Sequence, residues 1–197
     1  MITLFHSPKT RSSRFIFLLE ELEAPYEIRT VNVQRREGVG SRDPANPHPH
    51  GKVPAISDDG MLVFESSAIA LYLTDKFPKK GIGPTVGDAK RGAYLSWLAY
   101  YCGVLEPAWT MRFLNVQTPR GSTGWPPADE AMDFTFKTLE AGPYILGDRF
   151  SAVDVLIGTT FAMFMGGPTL PKTPPLEAYV KRVVERPAYA RAAAKDG

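Results

Sequence analysis

The chain has 197 residues, a hydrophobic fraction of 44%, a formal net charge of +2 and a single cysteine, Cys102. Its acidic and basic residues are interspersed, which excludes the basic footprint of a nucleic-acid binder, and one cysteine excludes both an internal disulfide and a Cys-x-x-Cys redox pair. The length suits one large domain or two modest ones, and the longest apolar stretch, residues 155–167, is too short to cross a bilayer, so neither nucleic acid nor membrane is an expected partner.

Met1-Ile2-Thr3-Leu4 leads straight into a strand over residues 2–5, with no export signal, and we expect a cytoplasmic protein. Residues 12–22 follow as a helix, because Phe15, Leu18, Leu19 and Leu22 fall on one face at helical spacing. Residues 26–33 read as a second strand, and the three prolines in 44–49 forbid a long helix there. His48 and His50 flank Pro49 without a nearby third ligand, so no metal site is expected. A strand over 53–56, a turn at Asp58-Asp59-Gly60, a strand over 62–64 and a helix from Ser66 to about Phe77 complete a βαβ–ββα unit. The breaker-rich run 78–84 marks a boundary, giving domains at 1–80 and 87–197. The second is read as all-helical, with residues 87–117 interrupted at Gly103 and Pro107 and further helices over 127–141, 151–165, 175–185 and 187–194. Ser151 is the N-cap of the third of these segments, with Asp154 in the capping-box place.

Two short motifs carry chemistry. In Lys52-Val53-Pro54-Ala55-Ile56, Pro54 has no N–H and belongs at a strand's first residue or edge, so Val53 can turn its own N–H and C=O to an extended peptide. In Glu65-Ser66-Ser67-Ala68-Ile69, a helix starts with unpaired N–H groups that favour a carboxylate, beside a glutamate able to accept from an ammonium. Together they describe a pocket for a zwitterionic peptide.

At these residues the chain resembles the glutathione transferase family, whose first domain carries a V-P-A-[IL] strand with a cis proline and an [EQ]-S-x-A-I helix start. The likeness extends to Thr3-Leu4-Phe5-His6-Ser7-Pro8 through Leu18-Leu19-Glu20-Glu21-Leu22, to Gly147-Asp148-Arg149-Phe150-Ser151-Ala152-Val153-Asp154, and to Arg186-Pro187-Ala188-Tyr189. It implies an α/β thioredoxin-like amino-terminal domain followed by an all-α helical domain that contributes the site of an electrophile. The peptide is then glutathione, a co-substrate with no further cofactor: Glu65 and Ser66 hold its γ-glutamyl end, Val53 and Pro54 its cysteinyl backbone, and Lys52 its glycine carboxylate. The family pairs two chains, so a homodimer is implied.

The family places Tyr, Ser or Cys at the junction of the first strand and helix, often with an arginine four residues on in serine types. That spacing selects Thr10 with Arg14, and Ser12, a good N-cap, is the rival. A free thiol titrates near pH 8.5, and each unit of depression needs about 1.4 kcal/mol of preference for the thiolate. The implied activity is detoxifying transfer of glutathione to a small apolar electrophile, its site near Tyr100, Tyr101, Trp109, Met111 and Phe113. A glutathione-dependent peroxide or disulfide reductase and a non-catalytic glutathione-binding module are the alternatives.

Overall fold

The computed structural model describes the backbone of residues 1–197 and every side chain except that of Glu37. The chain forms two compact units, Met1–Lys80 with Arg186–Gly197, and Gly81–Glu185. The last helix groups with the first unit, whereas the sequence reading takes residues 87–197 together as the second domain.

In the first unit, β1 (Ile2–His6) and β2 (Tyr26–Thr30) pair in parallel, with α1 (Ser13–Leu22) as the crossover between them. The hairpin β3 (Ala55–Asp58) and β4 (Met61–Phe64) then adds on antiparallel, giving the four-stranded order β2-β1-β3-β4. With α2 (Ser66–Lys76), this is the thioredoxin-like arrangement that the resemblance implies. Phe15, Leu18 and Leu19 of α1 are fully buried, as the spacing requires. The side chain of Asp58 at the end of β3 accepts from Tyr72 and Lys76 of α2, tying hairpin to helix. The strand expected over 53–56 begins only at Ala55, since Pro54 cannot donate to the ladder and its peptide bond to Val53 is cis.

The closing helix α8 (Pro187–Ala193) packs on α1. Arg186 makes a bidentate pair with Glu21 at 2.6 and 2.9 Å, and Tyr189 meets Phe17 edge-on at 5.4 Å. Glu20 accepts from Arg191 at 2.8 Å and Lys195 at 2.5 Å. Burial alone raises the Glu20 carboxyl's pKa, but hydrogen bonds from Lys195, Tyr26 and Arg191 outweigh it and hold the pKa at about 2.

The second unit holds α3 (Arg91–Tyr100), a π-helical turn (Tyr101–Leu105), α4 (Glu106–Phe113), α5 (Ala128–Glu140), α6 (Ala152–Phe164) and α7 (Pro174–Val184). Gly103 and Pro107 do not interrupt the helical path. The first lies in the π turn, and the second sits in the opening turn of α4 directly after it, where the widened turn takes up the proline. α6 and α7 approach closely: a Cβ at Gly158 would lie 2.7 Å from a Val183 methyl carbon. The Asp154 carboxylate is fully buried and accepts from Ser151 N–H (2.9 Å), the Ser151 hydroxyl (3.0 Å), Ile145 N–H (2.9 Å) and the Tyr179 hydroxyl (3.1 Å). Burial outweighs these bonds and pushes its pKa up to about 6.

Candidate functional site

The β1–α1 connection is a hydroxyl cluster. Thr10, half-buried, donates to the Ser7 carbonyl at 2.7 Å, and its Oγ1 lies 2.8 Å from Ser12 Oγ. Ser12 has no exposure at all. Its backbone is already helical, at φ −74° and ψ −22°, so its hydroxyl does not reach forward to cap α1. It turns back, accepting from Ser7 N–H at 3.1 Å and standing 2.9 Å from His6 Nδ1. Of the two expected hydroxyls, Thr10 alone has surface to offer a ligand.

The turn is braced from outside. Arg35 donates to the Ser7 hydroxyl at 3.1 Å and to the Pro8 carbonyl at 2.8 Å. Lys9 holds a left-handed conformation, φ 56°, and gives its N–H to Asp196 Oδ2 at 3.2 Å. Arg14, the expected companion of Thr10, is buried in the first turn of α1.

Val53 packs beside Phe5, Val31 and Ala55, just ahead of the inner strand β3. Its main-chain N–H and C=O bond to nothing else among the described residues, the condition an extended ligand needs. The approach to it is rigid. The buried Asn46 amide donates to the Lys52 carbonyl and accepts from His48 N–H, each at 3.0 Å. The Lys52 side chain is exposed.

Glu65 precedes α2 with φ 71° and ψ 131°, a conformation that few residues other than glycine adopt, and its side chain is 66% exposed. Ser66 is buried at the helix start behind it. Such a strained residue at a helix entrance is a mark of functional sites. His48 Nε2 lies 3.9 Å from Glu65 Oε1, and its ring meets Phe64 edge-on at 5.4 Å. Burial lowers the His48 pKa, with Glu65 acting against it. His50 is exposed.

The sequence reading gave no role to His6, His48 or Asp196. A short polar-proline run signals the bend at His48 but not its burial. Nothing near Asp196 announces a contact with a residue 190 positions earlier.

In the helical unit, Tyr101 and Trp109 are core residues, and Tyr101 bonds Thr160 at 2.8 Å and Glu106 at 3.1 Å. Tyr100, Met111 and Phe113 retain surface. A cleft of about 460 Å³ is lined by Met111, Asn115, Val116, Trp125 and Pro127 among others. No group of three His, Cys, Asp or Glu side chains suited to a metal occurs among the described residues, and none of their helices is long and apolar enough to cross a membrane.

The glutathione S-transferase N-terminal domain family matches residues 1–75. Glutathione S-transferase aclG of Aspergillus oryzae is 32% identical over 200 residues, spanning 89% of this chain and 84% of its own. A glutathione transferase structure from Methylococcus capsulatus (strain Bath) superposes with a TM-score of 0.79 at 28% identity, covering 100% of this chain and 99% of that one. A sphingomonad glutathione S-transferase complexed with glutathione gives 0.73 at 27% identity, covering 99% and 98%. With a thioredoxin-like unit followed by helices, and a relative this similar over most of both lengths, the chain belongs to the glutathione S-transferase family of enzymes.

Proposed function

We propose that this enzyme binds glutathione along Val53, Glu65 and Ser66 and activates its thiol at Thr10 for attack on a small apolar electrophile. The observation that carries the reading is the unpaired backbone of Val53 beside the strained Glu65–Ser66 helix start. An extended peptide completes the Val53 hydrogen bonds, its carboxylate takes the N–H groups opening α2, and its ammonium faces Glu65. Thr10 is the hydroxyl with surface at the β1–α1 turn, and Ser12, with none, acts behind it. Lys52, exposed before Val53, faces the glycine carboxylate.

The thiol proton leaves, the thiolate is held by the Thr10 hydroxyl, and carbon–sulfur bond formation expels the leaving group or saturates the acceptor. The apolar partner is supported by Met111, Val116 and Trp125 around the helical unit's cleft. We also propose a cytoplasmic homodimer, to be checked by sedimentation at micromolar concentration.

The test is product analysis with glutathione and a reactive aromatic halide, and separately with a peroxide. A thioether conjugate formed well above the uncatalysed rate is the expected result. Peroxide reduction without conjugation would reassign the enzyme to reductive chemistry, and neither activity despite glutathione binding would make it a binding module.

A further inference from the structure

The hydroxyl cluster does not stop at Ser12. His6, 1% exposed, places Nδ1 2.9 Å from Ser12 Oγ and Nε2 3.2 Å from the Asp196 carbonyl oxygen and 3.5 Å from Asp196 Oδ1. That carboxylate oxygen is buried and has no hydrogen-bond partner of its own. A continuous path therefore runs from half-buried Thr10 through Ser12 and His6 to Asp196, each link within the first unit.

The protons along this path can be counted. Two acceptors face Nε2, so Nε2 carries a proton, and in the neutral ring Nδ1 accepts. Ser12 then gives its one proton to His6 Nδ1 at 2.9 Å, a nearer acceptor than the Ser7 carbonyl at 3.2 Å, and Thr10 gives its own to the Ser7 carbonyl or to Ser12. In that state Thr10 has no proton for a ligand, although its oxygen can receive one.

We propose that this path is a proton relay, in which the thiol of bound glutathione passes its proton to His6 through Thr10 and Ser12; the relay rests on the Thr10 reading given above. The S–H bond breaks as its proton goes to Thr10 Oγ1. The Thr10 proton moves to Ser12 Oγ, and the Ser12 proton to His6 Nδ1. A neutral pair becomes a thiolate and an imidazolium, with no other reactant needed. Every hydroxyl now points outward: His6 donates to Ser12, Ser12 to Thr10, and Thr10 to the sulfur. In water a thiol and an imidazole differ by about two pKa units against this transfer. The imidazolium that forms faces the Asp196 carboxylate, with Oδ1 3.5 Å from Nε2, and the thiolate gains the Thr10 hydrogen bond. Asp196 also holds the Lys9 N–H, so one side chain fixes the base and the turn carrying the first hydroxyl. His6, Ser12 and Asp196 are thus positioning and proton-holding residues; Thr10 alone touches substrate.

The experiment counts protons. Glutathione is bound to the wild-type protein near neutral pH, thiolate is read by ultraviolet absorbance, and proton release by an indicator dye. The relay predicts well under one proton released per thiolate formed, since His6 retains it. It also predicts that His6→Asn and Ser12→Ala lower thiolate yield and turnover by about tenfold or more, with KM for glutathione changed less than about threefold. Ser12→Thr should restore both, and Asp196→Asn should show a smaller loss. One full proton released per thiolate in the wild type overturns the relay without any variant. So does a folded His6→Asn protein with wild-type thiolate while Thr10→Val loses it. Thr10→Val with full thiolate, or a wild type that forms none, overturns the Thr10 reading and the relay together.

Discussion

The starts of α1 and α6 each carry a serine, and the two backbones put them to different uses. Ser151 is extended, φ −145° and ψ 172°, and with Asp154 it forms a capping box closed within the helix it begins. Ser12 is already helical, makes no cap, and turns its hydroxyl back toward β1. A capping serine is the ordinary outcome, contributing about 1 kcal/mol to its helix. A serine that forgoes the cap leaves the opening N–H groups of α1 to other partners, Ser13 N–H going to the Thr10 carbonyl at 3.1 Å and Phe15 N–H to the Ser12 carbonyl at 2.9 Å. The α6 start closes on itself and serves stability, while the proposed function gives the α1 start a part in chemistry, and mutations should separate the two.

The largest expected effect is at the α6 start. Asp154→Ala removes the acceptor for Ile145 N–H, Ser151 N–H and the Tyr179 hydroxyl, all buried. Stranding several such donors should lower unfolding stability by about 3–5 kcal/mol in urea titration. Ser12→Ala leaves Ser7 N–H and His6 Nδ1 without their Ser12 partner and should cost about 1–3 kcal/mol, the smaller loss of the two. Equal losses would erase the distinction between the two starts.

pH offers a second separation. The Asp154 pKa is raised in the fold from 3.8 to about 6, with burial the main cause, so the folded protein holds this proton more tightly than the unfolded chain. Its favourable contribution is full below the unfolded value and is lost as pH rises through about 6, roughly 2–3 kcal/mol in all. Asp154→Asn should flatten the stability profile over that window. A profile with the same slope in both proteins would contradict the assignment.

A third concerns the start of α2, where Glu65 and Ser66 face the proposed γ-glutamyl group. Each alanine substitution should weaken glutathione binding by about 1.5–3 kcal/mol in calorimetry, with unfolding stability little changed. Wild-type affinity in both would remove these residues from the site.

Much of this was legible in the sequence because it is local. The face of Phe15, Leu18, Leu19 and Leu22, the hairpin turn at Asp59-Gly60, and the capping box at Ser151 each lie within a few residues. Thr10 was named from the four-residue spacing to Arg14 that the family resemblance implies. Ser12 looked equally apt because sequence records its preference for the N-cap but not the dihedral angles that deny it the cap. The rest was long-range. The docking of α8 depends on Glu20 and Glu21 meeting Arg191 and Arg186 from across the chain, and a short helix after Arg186 does not say which unit it joins. The same separation hid Asp196 from His6. The π turn at Tyr101–Leu105 was concealed by Gly103, read as a break although the helical path runs through it.

The account's central claim is that Thr10 lowers the pKa of a bound thiol. The direct measurement is ultraviolet titration of glutathione bound to the wild type and to Thr10→Val. A bound thiol at least about one unit below its free value of about 8.5, returning toward it in Thr10→Val, is the predicted result. An unshifted wild-type thiol, or a shift that survives Thr10→Val, would contradict it.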